Sequence, residues 1–449
     1  MLFSGEPVVN VGILSDRKIS FELYGDFGIR GFKQKFSGRF TAELEGGRVV
    51  CKRGKDKIEI SNEIIFEPGD QPVDSFLIKD VPIGKEFHWE RKETQRFAGS
   101  LKLLKAGNVI WVINVLPVTL YLKSVISSEM SAKSSLQLLK THAVVSRSWL
   151  FAQIEKSKSS KGKTDTNKYK YKTESEIVNW QGRSEHEYFD VCADDHCQRY
   201  HGITKILTDA SHIAVEQTRG IVLMFDDKIC DSRYSKSCGG IAESFENVWE
   251  AVKHDYLSSN VDYKFEPENY NLDFSFEENA RKWILGNPPS FCNIQDSKIL
   301  SQVLVDYDLE TKDFYRWKVE YSQSQLAELI KTKSGIDFGD IIDLVPVERG
   351  DSSRLVKLKI VGSKKEMVVG KELEIRKLLS KTHLYSSAII IDMEEIKNRI
   401  PQKFIIHGAG WGHGVGLCQI GAAVMAAQGY QFDEILLHYF KNAKLKKVY

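Results

Sequence analysis

Residues 114–153 read NVLPVTLYLKSVISSEMSAKSSLQLLKTHAVVSRSWLFAQ. The apolar run VIWVINVLP reads as a strand that ends at Pro117, and LYLKSVI follows as a short helical piece. Residues 127–131 (SSEMS) then read as a turn. After it comes a long amphipathic helix with Leu136, Leu139, Ala143 and Leu150 near helical spacing. Ser134 and Ser135 are placed to cap its start. On this reading Glu129 is a lone carboxylate on a tight turn between two packed elements, a position that can aim one side chain into a cleft. The plainer alternative is a first-turn glutamate stabilised by the helix dipole.

Three blocks in this stretch follow known patterns. Asn114, Leu116, Pro117, Tyr121 and Leu122 fit N-x-LP-x-x-x-YL, and Ser128, Glu129 and Met130 form SEM. Leu139, Lys140, Ala143, Val144 and Arg147 fit most of L-x-A-L-K-x-x-A-V-x-x-R. The segment resembles the SpoIID/LytB family, stage II sporulation protein D and its relatives. The resemblance implies that Glu129 is the acid/base that cuts peptidoglycan glycan strands. Ser131 stands where the family usually has proline, which should loosen the turn and leave the carboxylate in place.

Composition sets the outer limits. A chain of 449 residues suggests two or three domains, and 42% hydrophobic residues is enough for a sizeable core. The net charge of +2 argues against a dedicated nucleic-acid binder, so no nucleic-acid partner is expected. No apolar run approaches a membrane span, and MLFSGEPVVNVGIL lacks a basic n-region followed by an apolar one. That start implies either a cytoplasmic protein or a signal lying upstream. Seven cysteines, an odd number with two close to histidines, favour metal binding or free thiols over a disulfide framework.

The expected fold class is α+β, a mixed catalytic core with an N-terminal β-rich region and an inserted α+β subdomain. Residues 1–100 form the β-rich region, with VVNVGIL, KISFELYG, FTAELEG and RVVCKRG as strands. Residues 101–250 are the first part of the core, 251–400 the insertion, and 401–449 the remainder of the core. The Lys/Ser-rich stretch 155–175 reads as a solvated, mobile loop. Residues 214–244 suggest a hairpin turning at Asp226 and Asp227. Trp283, Phe314, Tyr315 and Trp317 read as core residues rather than sugar platforms.

Two further stretches carry chemistry. His186, Cys192, His196, Cys197 and His201 lie close together in SEHEYFDVCADDHCQRYHG, either as zinc ligands or as buried thiols beside surface histidines. The family has a matching segment at Asp190, Cys192, His196, Cys197, Gln198, Tyr200 and Gly202, which favours zinc. The preferred ligands are His186, Cys192 and Cys197, with His196 and His201 in reserve. Near the C-terminus, Gly408, Gly410, Gly412, Gly414 and Gly416 form a loop carrying Trp411 and His413, and a helix begins near Leu417 with Gly429 as its C′ residue. The family hallmark G-x-G-W-G-H-G-V-G-x-x-Q-x-G-A is present here, including Gln419. Its serine-glycine element appears at Ser237, Gly239 and Gly240, with Cys238 replacing a serine.

The resemblance implies that Ser237, Gly239, Gly240, Trp411, His413 and Gln419 line the substrate cleft. Lys140 and Arg147, one helical face from Glu129, are placed to hold substrate carboxylate or acetamido groups. A hydrolytic glycosidase needs two carboxylates, whereas a lytic transglycosylase manages with one. Glu129 would protonate the glycosidic oxygen, and the sugar's own 6-hydroxyl would close a 1,6-anhydro ring. Partial burial beside Val125 and Met130 would tune Glu129 for this task. The expected activity is therefore lytic transglycosylation of peptidoglycan glycan strands, in the cell envelope or outside the cytoplasm, with zinc as a candidate cofactor. The alternatives are a non-catalytic enhancer of an N-acetylmuramoyl-L-alanine amidase, with that amidase as partner, and a zinc hydrolase of amide bonds.

Overall fold

The computed structural model describes all residues except 1–2, 61, 71–72, 85–89, 132, 161–169, 181–185, 195, 207 and 305–312. The fold is α+β. Ten strands, from Val8–Asp16 to Val109–Pro117, build one large sheet, and the strand Val191–Cys192 joins its edge. The four N-terminal strands read from the sequence are present as Val8–Asp16, Lys18–Ile29, Phe36–Glu45 and Arg48–Arg53. Their alternation places Phe21, Phe40 and Phe66 in one aromatic core, with Phe21 stacked on Phe40 at 5.3 Å.

The sheet does not stop at residue 100. Val109–Pro117 pairs with Val8–Asp16 on one side and Ser100–Ala106 on the other. Ile110, Val112 and Ile113 on that central strand are fully buried. The boundary expected at 100 therefore cuts through a sheet, because its first and last long strands are neighbours. Pro117 then caps helix α1, Val118–Glu129, with a φ of −60° suited to a helix start. Two amides at that start are satisfied from the N-terminal segment: Val118 N–H donates to Pro7 O (3.0 Å) and Thr119 N–H to Glu6 Oε1 (2.6 Å). Helix α2, Leu136–Ser160, buries Leu138, Leu139, Ala143, Val144, Val145 and Leu150. Ser135 Oγ accepts from Leu138 N–H, as a cap should.

Helix α2 runs further than expected, and Lys170–Lys172 is a strand. The loop expected over 155–175 thus shrinks, and its middle, 161–169, lies outside the described residues. Lys170–Lys172 pairs with Glu176–Asn179, which lies parallel to Glu366–Gly370 and so joins the sheet of the insertion. The expected hairpin is present as Ile221–Phe225 and Lys228–Ile229, with Asp226 and Asp227 both at positive φ. The insertion has its own core around Trp317, Leu326, Ile330, Leu358 and Ile406. Its strand Arg316–Ser322 pairs with Lys403–Ala409, which also pairs with Ile389–Glu394. The boundary expected at 400 is therefore also crossed, since the strand feeding the glycine loop is the centre of the insertion's second sheet. Trp283, Phe314, Tyr315 and Trp317 are buried, in line with the core reading.

The two glycine-bearing loops pack backbone to backbone. Ser237 and Trp411 exchange main-chain hydrogen bonds of 3.0 and 2.7 Å. Beside them Gly239 and Gly410 face each other at positive φ. A Cβ on Gly410 would stand 2.8 Å from Ser237 O. Gly410→Ala is expected to cost about 2 kcal/mol or more in urea denaturation, because both the conformation and the contact resist a side chain. Wild-type stability would show that the loops separate easily.

Candidate functional site

Glu129 is the last residue of α1; residues 127–129 are helical, and the chain leaves the helix at Met130. Of the expected turn, residues 127–129 therefore belong to α1, and the non-helical connection to α2 begins at Met130. The dipole alternative also fails, because Glu129 sits at the helix C-terminus, where the macrodipole opposes negative charge. The residues after it are tied to the insertion. Ser131 N–H donates to Gln302 O (3.2 Å) and Ser135 N–H to Gln302 Oε1 (3.0 Å). Gln302 thereby restrains the stretch that a proline would have stiffened.

Glu129 is 8% exposed, and its Oε1 accepts two hydrogen bonds of 3.0 Å, from Arg199 N–H and from the Tyr234 hydroxyl. The Arg199 amide is held by a buried frame. Tyr121 donates to Gln198 Oε1 (3.1 Å), and Gln198 Nε2 donates to Ser146 O (3.4 Å). The Tyr200 hydroxyl donates to Asn114 Oδ1, while Asn114 Nδ2 donates to Ala98 O (3.0 Å) and Ser100 O (3.1 Å). The Tyr121 and Tyr200 rings stack at 5.3 Å, and His201 N–H reaches Ser128 Oγ at 3.3 Å. The motif residues Asn114, Tyr121, Gln198 and Tyr200 thus serve to place one backbone N–H against the carboxylate.

Tyr234 comes from a different segment, the short strand Tyr234–Ser235. Ionisation of its phenol is strongly disfavoured by burial and then by the Glu129 carboxylate, so it remains a donor. The edge of His142 packs against its ring at 4.6 Å. His142 is fully buried, and burial pulls its pKa down to about 3. Gln419 Nε2 donates to His142 Nε2 (3.0 Å), and His142 Nδ1 faces Ser146 Oγ (3.2 Å). His413 Nδ1 accepts from Val415 N–H at 3.0 Å, and its ring also bonds the Tyr234 backbone. Burial first, then Arg233 nearby, lowers the pKa of His413 well below the ordinary histidine value.

The expected substrate residues therefore separate into groups. Ser237, Gly239 and Trp411 meet at the paired loops, and Gly240 packs against Trp283. Trp411 is half-buried and stacks on Tyr385 at 4.0 Å. Gln419 is 2% exposed and is engaged with His142, so it supports Tyr234 rather than facing solvent. Arg147 is a correction: its fully buried guanidinium donates to Ile221 O (3.0 Å) and Val215 O (3.5 Å), making it a packing tie between α2 and its neighbours. The Lys140 ammonium lies over the Phe432 ring at 5.7 Å, with Phe432 opening the helix Phe432–Tyr439. A cavity of about 290 Å³ lies elsewhere, lined by residues such as Ile177, Phe338, Ile360 and Met367, and does not include Glu129.

The expected metal residues do converge. His186, Cys192 and Cys197 meet together with the reserve His196, with all four ligand atoms within 4.8 Å of one another. His186 Nε2 is 3.3 Å from Cys197 Sγ, and His196 Nδ1 is 3.6 Å from Cys197 Sγ and 3.8 Å from Cys192 Sγ. Two thiols and two imidazoles in this array match the donor set of a tetrahedral zinc site. The strand Val191–Cys192, parallel to Val11 and Gly12, anchors the group to the large sheet. His201 is outside it: it is 4% exposed, its Nδ1 has no hydrogen-bond partner among the described residues, and burial lowers its pKa to about 4. Sequence reasoning missed Tyr234, His142 and the Arg199 amide. Tyr234 and His142 have no spacing signal, and an amide has no residue identity.

Fold and site together describe a mixed α+β protein built around one supported glutamate. Residues 106–225 match the family described as "Stage II sporulation protein" (SpoIID), and residues 243–416 match a "Domain of unknown function" (DUF8618). The amidase enhancer of Bacillus subtilis (strain 168) is 25% identical over 247 residues, which cover 52% of this chain and 32% of that protein. The match therefore spans about a third of the enhancer's length. An uncharacterized protein of Brachyspira hyodysenteriae (strain ATCC 49526 / WA1) is 22% identical over 446 residues, covering 99% of this chain and 94% of that one. The SpoIID match over residues 106–225 and the likeness to the amidase enhancer support membership of the SpoIID/LytB family. Among the described residues no helix is long and apolar enough to cross a membrane.

His142 gives a prediction with a definite sign. In the fold it stays neutral down to about pH 3, whereas in the unfolded chain it protonates near 6.5. The unfolded state therefore binds more protons in that window, and stability is lost as pH falls through it. Urea denaturation of His142→Asn at pH 7 and pH 4.5 should show an acid loss smaller than wild type's by about 2 kcal/mol. An identical loss would place the acid sensitivity elsewhere.

Proposed function

We propose that this chain is a lytic transglycosylase of peptidoglycan glycan strands, with Glu129 as its acid/base. The observation that carries the reading is the double hydrogen bond to one oxygen of Glu129, which fixes a single carboxylate between two independently braced donors. Protonated Glu129 gives its proton to the glycosidic oxygen as the bond to the anomeric carbon breaks. The sugar's own 6-hydroxyl then attacks that carbon, and its proton passes to the Glu129 carboxylate. The strand ends in a 1,6-anhydro sugar, and Glu129 is again protonated. Arg199 N–H and Tyr234 hold the carboxylate through both transfers. Lys140, Trp411 and His413, all half-buried, are the residues of the expected set with surface left to meet a glycan. This activity would be exercised outside the cytoplasm, at the cell wall.

His186, Cys192, His196 and Cys197 would hold zinc. Four protein ligands leave no open position for water, so this metal would serve structure rather than hydrolysis. It would stiffen the segment that carries the Arg199 amide. Cys197→Ser should lower bound zinc by about one ion per chain in plasma mass spectrometry. Unchanged metal content would remove zinc from this site.

A second reading rests on the relative that is named an amidase enhancer. In it the chain stimulates a cell-wall amidase without cutting glycan, and Glu129 is dispensable. Peptidoglycan, intact and amidase-treated, would be incubated with wild type and Glu129→Gln, and the products read by mass spectrometry. The proposal expects anhydro-ended saccharides whose formation falls by about a hundredfold or more in the variant. Equal release by both proteins, or no release together with stimulation of an amidase, would favour the enhancer.

A further inference from the structure

We propose that Cys238, Asp262, Cys292 and Cys418 form a second metal site, a closed and wholly buried one that takes zinc and staples the inserted region to the core. Their ligand atoms all lie within 4.8 Å of one another, and no member is more than 2% exposed. They come from four separate stretches. Cys238 follows the strand Tyr234–Ser235, Asp262 follows Asn260–Val261, Cys292 precedes the helix Ser297–Val303, and Cys418 caps the helix Gln419–Ala427.

The spacing suits a metal. Cys238 Sγ and Cys292 Sγ are 3.7 Å apart. A tetrahedral ion with zinc–sulfur bonds of about 2.3 Å separates its sulfurs by about 3.8 Å. The surroundings suit one as well. Asp262 is 1% exposed and accepts from Tyr439 Oη (2.6 Å), Ser290 Oγ (2.9 Å) and Cys292 N–H (2.9 Å). Those donors aim the carboxylate without neutralising it, as outer partners do for a metal ligand. Cys418 Sγ accepts from the amides of Cys238 (3.3 Å) and Gly421 (3.5 Å). A buried carboxylate facing three sulfurs is costly unless it takes up a proton or a cation joins it.

Charge balance points the same way. Three thiolates and one carboxylate around a divalent ion leave a net double negative charge. Two enclosed guanidinium groups flank the loop that carries Cys238. Arg354 donates to Cys238 O (3.1 Å), and Arg316 donates to Gly239 O (3.0 Å) and otherwise to the carbonyls of Tyr315, Trp283 and Gly286. Plain apolar packing of three cysteines would not call for the acid, although Arg354 also faces the buried Glu243 carboxylate. The site would lock the loop four residues beyond Tyr234, the donor to Glu129.

The test is metal content by plasma mass spectrometry, comparing full-length wild type with Cys292→Ser and Asp262→Asn after dialysis against a weak chelator. Wild type should carry about one zinc ion more per chain than Cys292→Ser. The Asp262→Asn variant, which keeps the carboxylate's shape, guards against misfolding and should hold zinc more weakly under competition. Cobalt added to Cys192→Ser/Cys197→Ser should give a strong sulfur-to-cobalt charge-transfer band that Cys292→Ser abolishes. Equal zinc in wild type and a folded Cys292→Ser, or a Cys238–Cys292 disulfide in non-reduced peptides, would overturn the proposal.

Discussion

The hydrogen bonds that Arg199 N–H and the Tyr234 hydroxyl make to Glu129 Oε1 are the constraint around which the core is arranged. A carboxylate at the C-terminal end of a helix faces the negative end of the macrodipole, so its position has to be supported from outside the helix. The two donors come from segments 70 and 105 residues away, and each has its own brace. One brace is the Asn114–Tyr200–Tyr121–Gln198 frame, which also fastens the Cys/His group to the large sheet. The other runs from Tyr234 through His142 to Gln419 and reaches the glycine-loop helix.

This arrangement gives the motifs physical work that differs from ligand contact. Gln419 and Arg147 belong to the recognisable pattern, yet both are enclosed and bonded within the protein. Asn114 and Tyr200 lie in different motifs and meet each other directly. The paired loops around Ser237 and Trp411 need glycine because one backbone lies on the other. Much of what looks like a binding signature is thus a scaffold for one side chain.

Local signals were legible in the sequence, and distant pairings were not. Pro117, the Asp226–Asp227 turn and Gly429 beyond the last residues of Gln419–Ala427 act through their own backbone preferences, so each is visible in a few residues. The α+β class followed from periodicity. The pairings across residues 100 and 400 were not legible, because Val8–Asp16 with Val109–Pro117, and Arg316–Ser322 with Lys403–Ala409, are pairs that only the folded chain brings together. Glu129 and the cysteine-histidine group were found because their motifs resemble the SpoIID/LytB family, while spacing alone left the plainer readings open. Tyr234 and His142 were missed because their role comes from tertiary contact alone. Cys238 was read as a departure from a serine pattern, and its partners lie 54 and 180 residues away.

On the proposed mechanism the glycan is cut at Glu129. The most direct measurement is a crystal structure of the inactive Glu129→Gln variant with a peptidoglycan oligosaccharide bound. The account predicts a glycosidic oxygen within about 3 Å of the side chain at position 129, with Tyr234 still donating to that side chain. A glycan bound away from this position, such as along the cavity lined by Ile177 and Phe338, would contradict it.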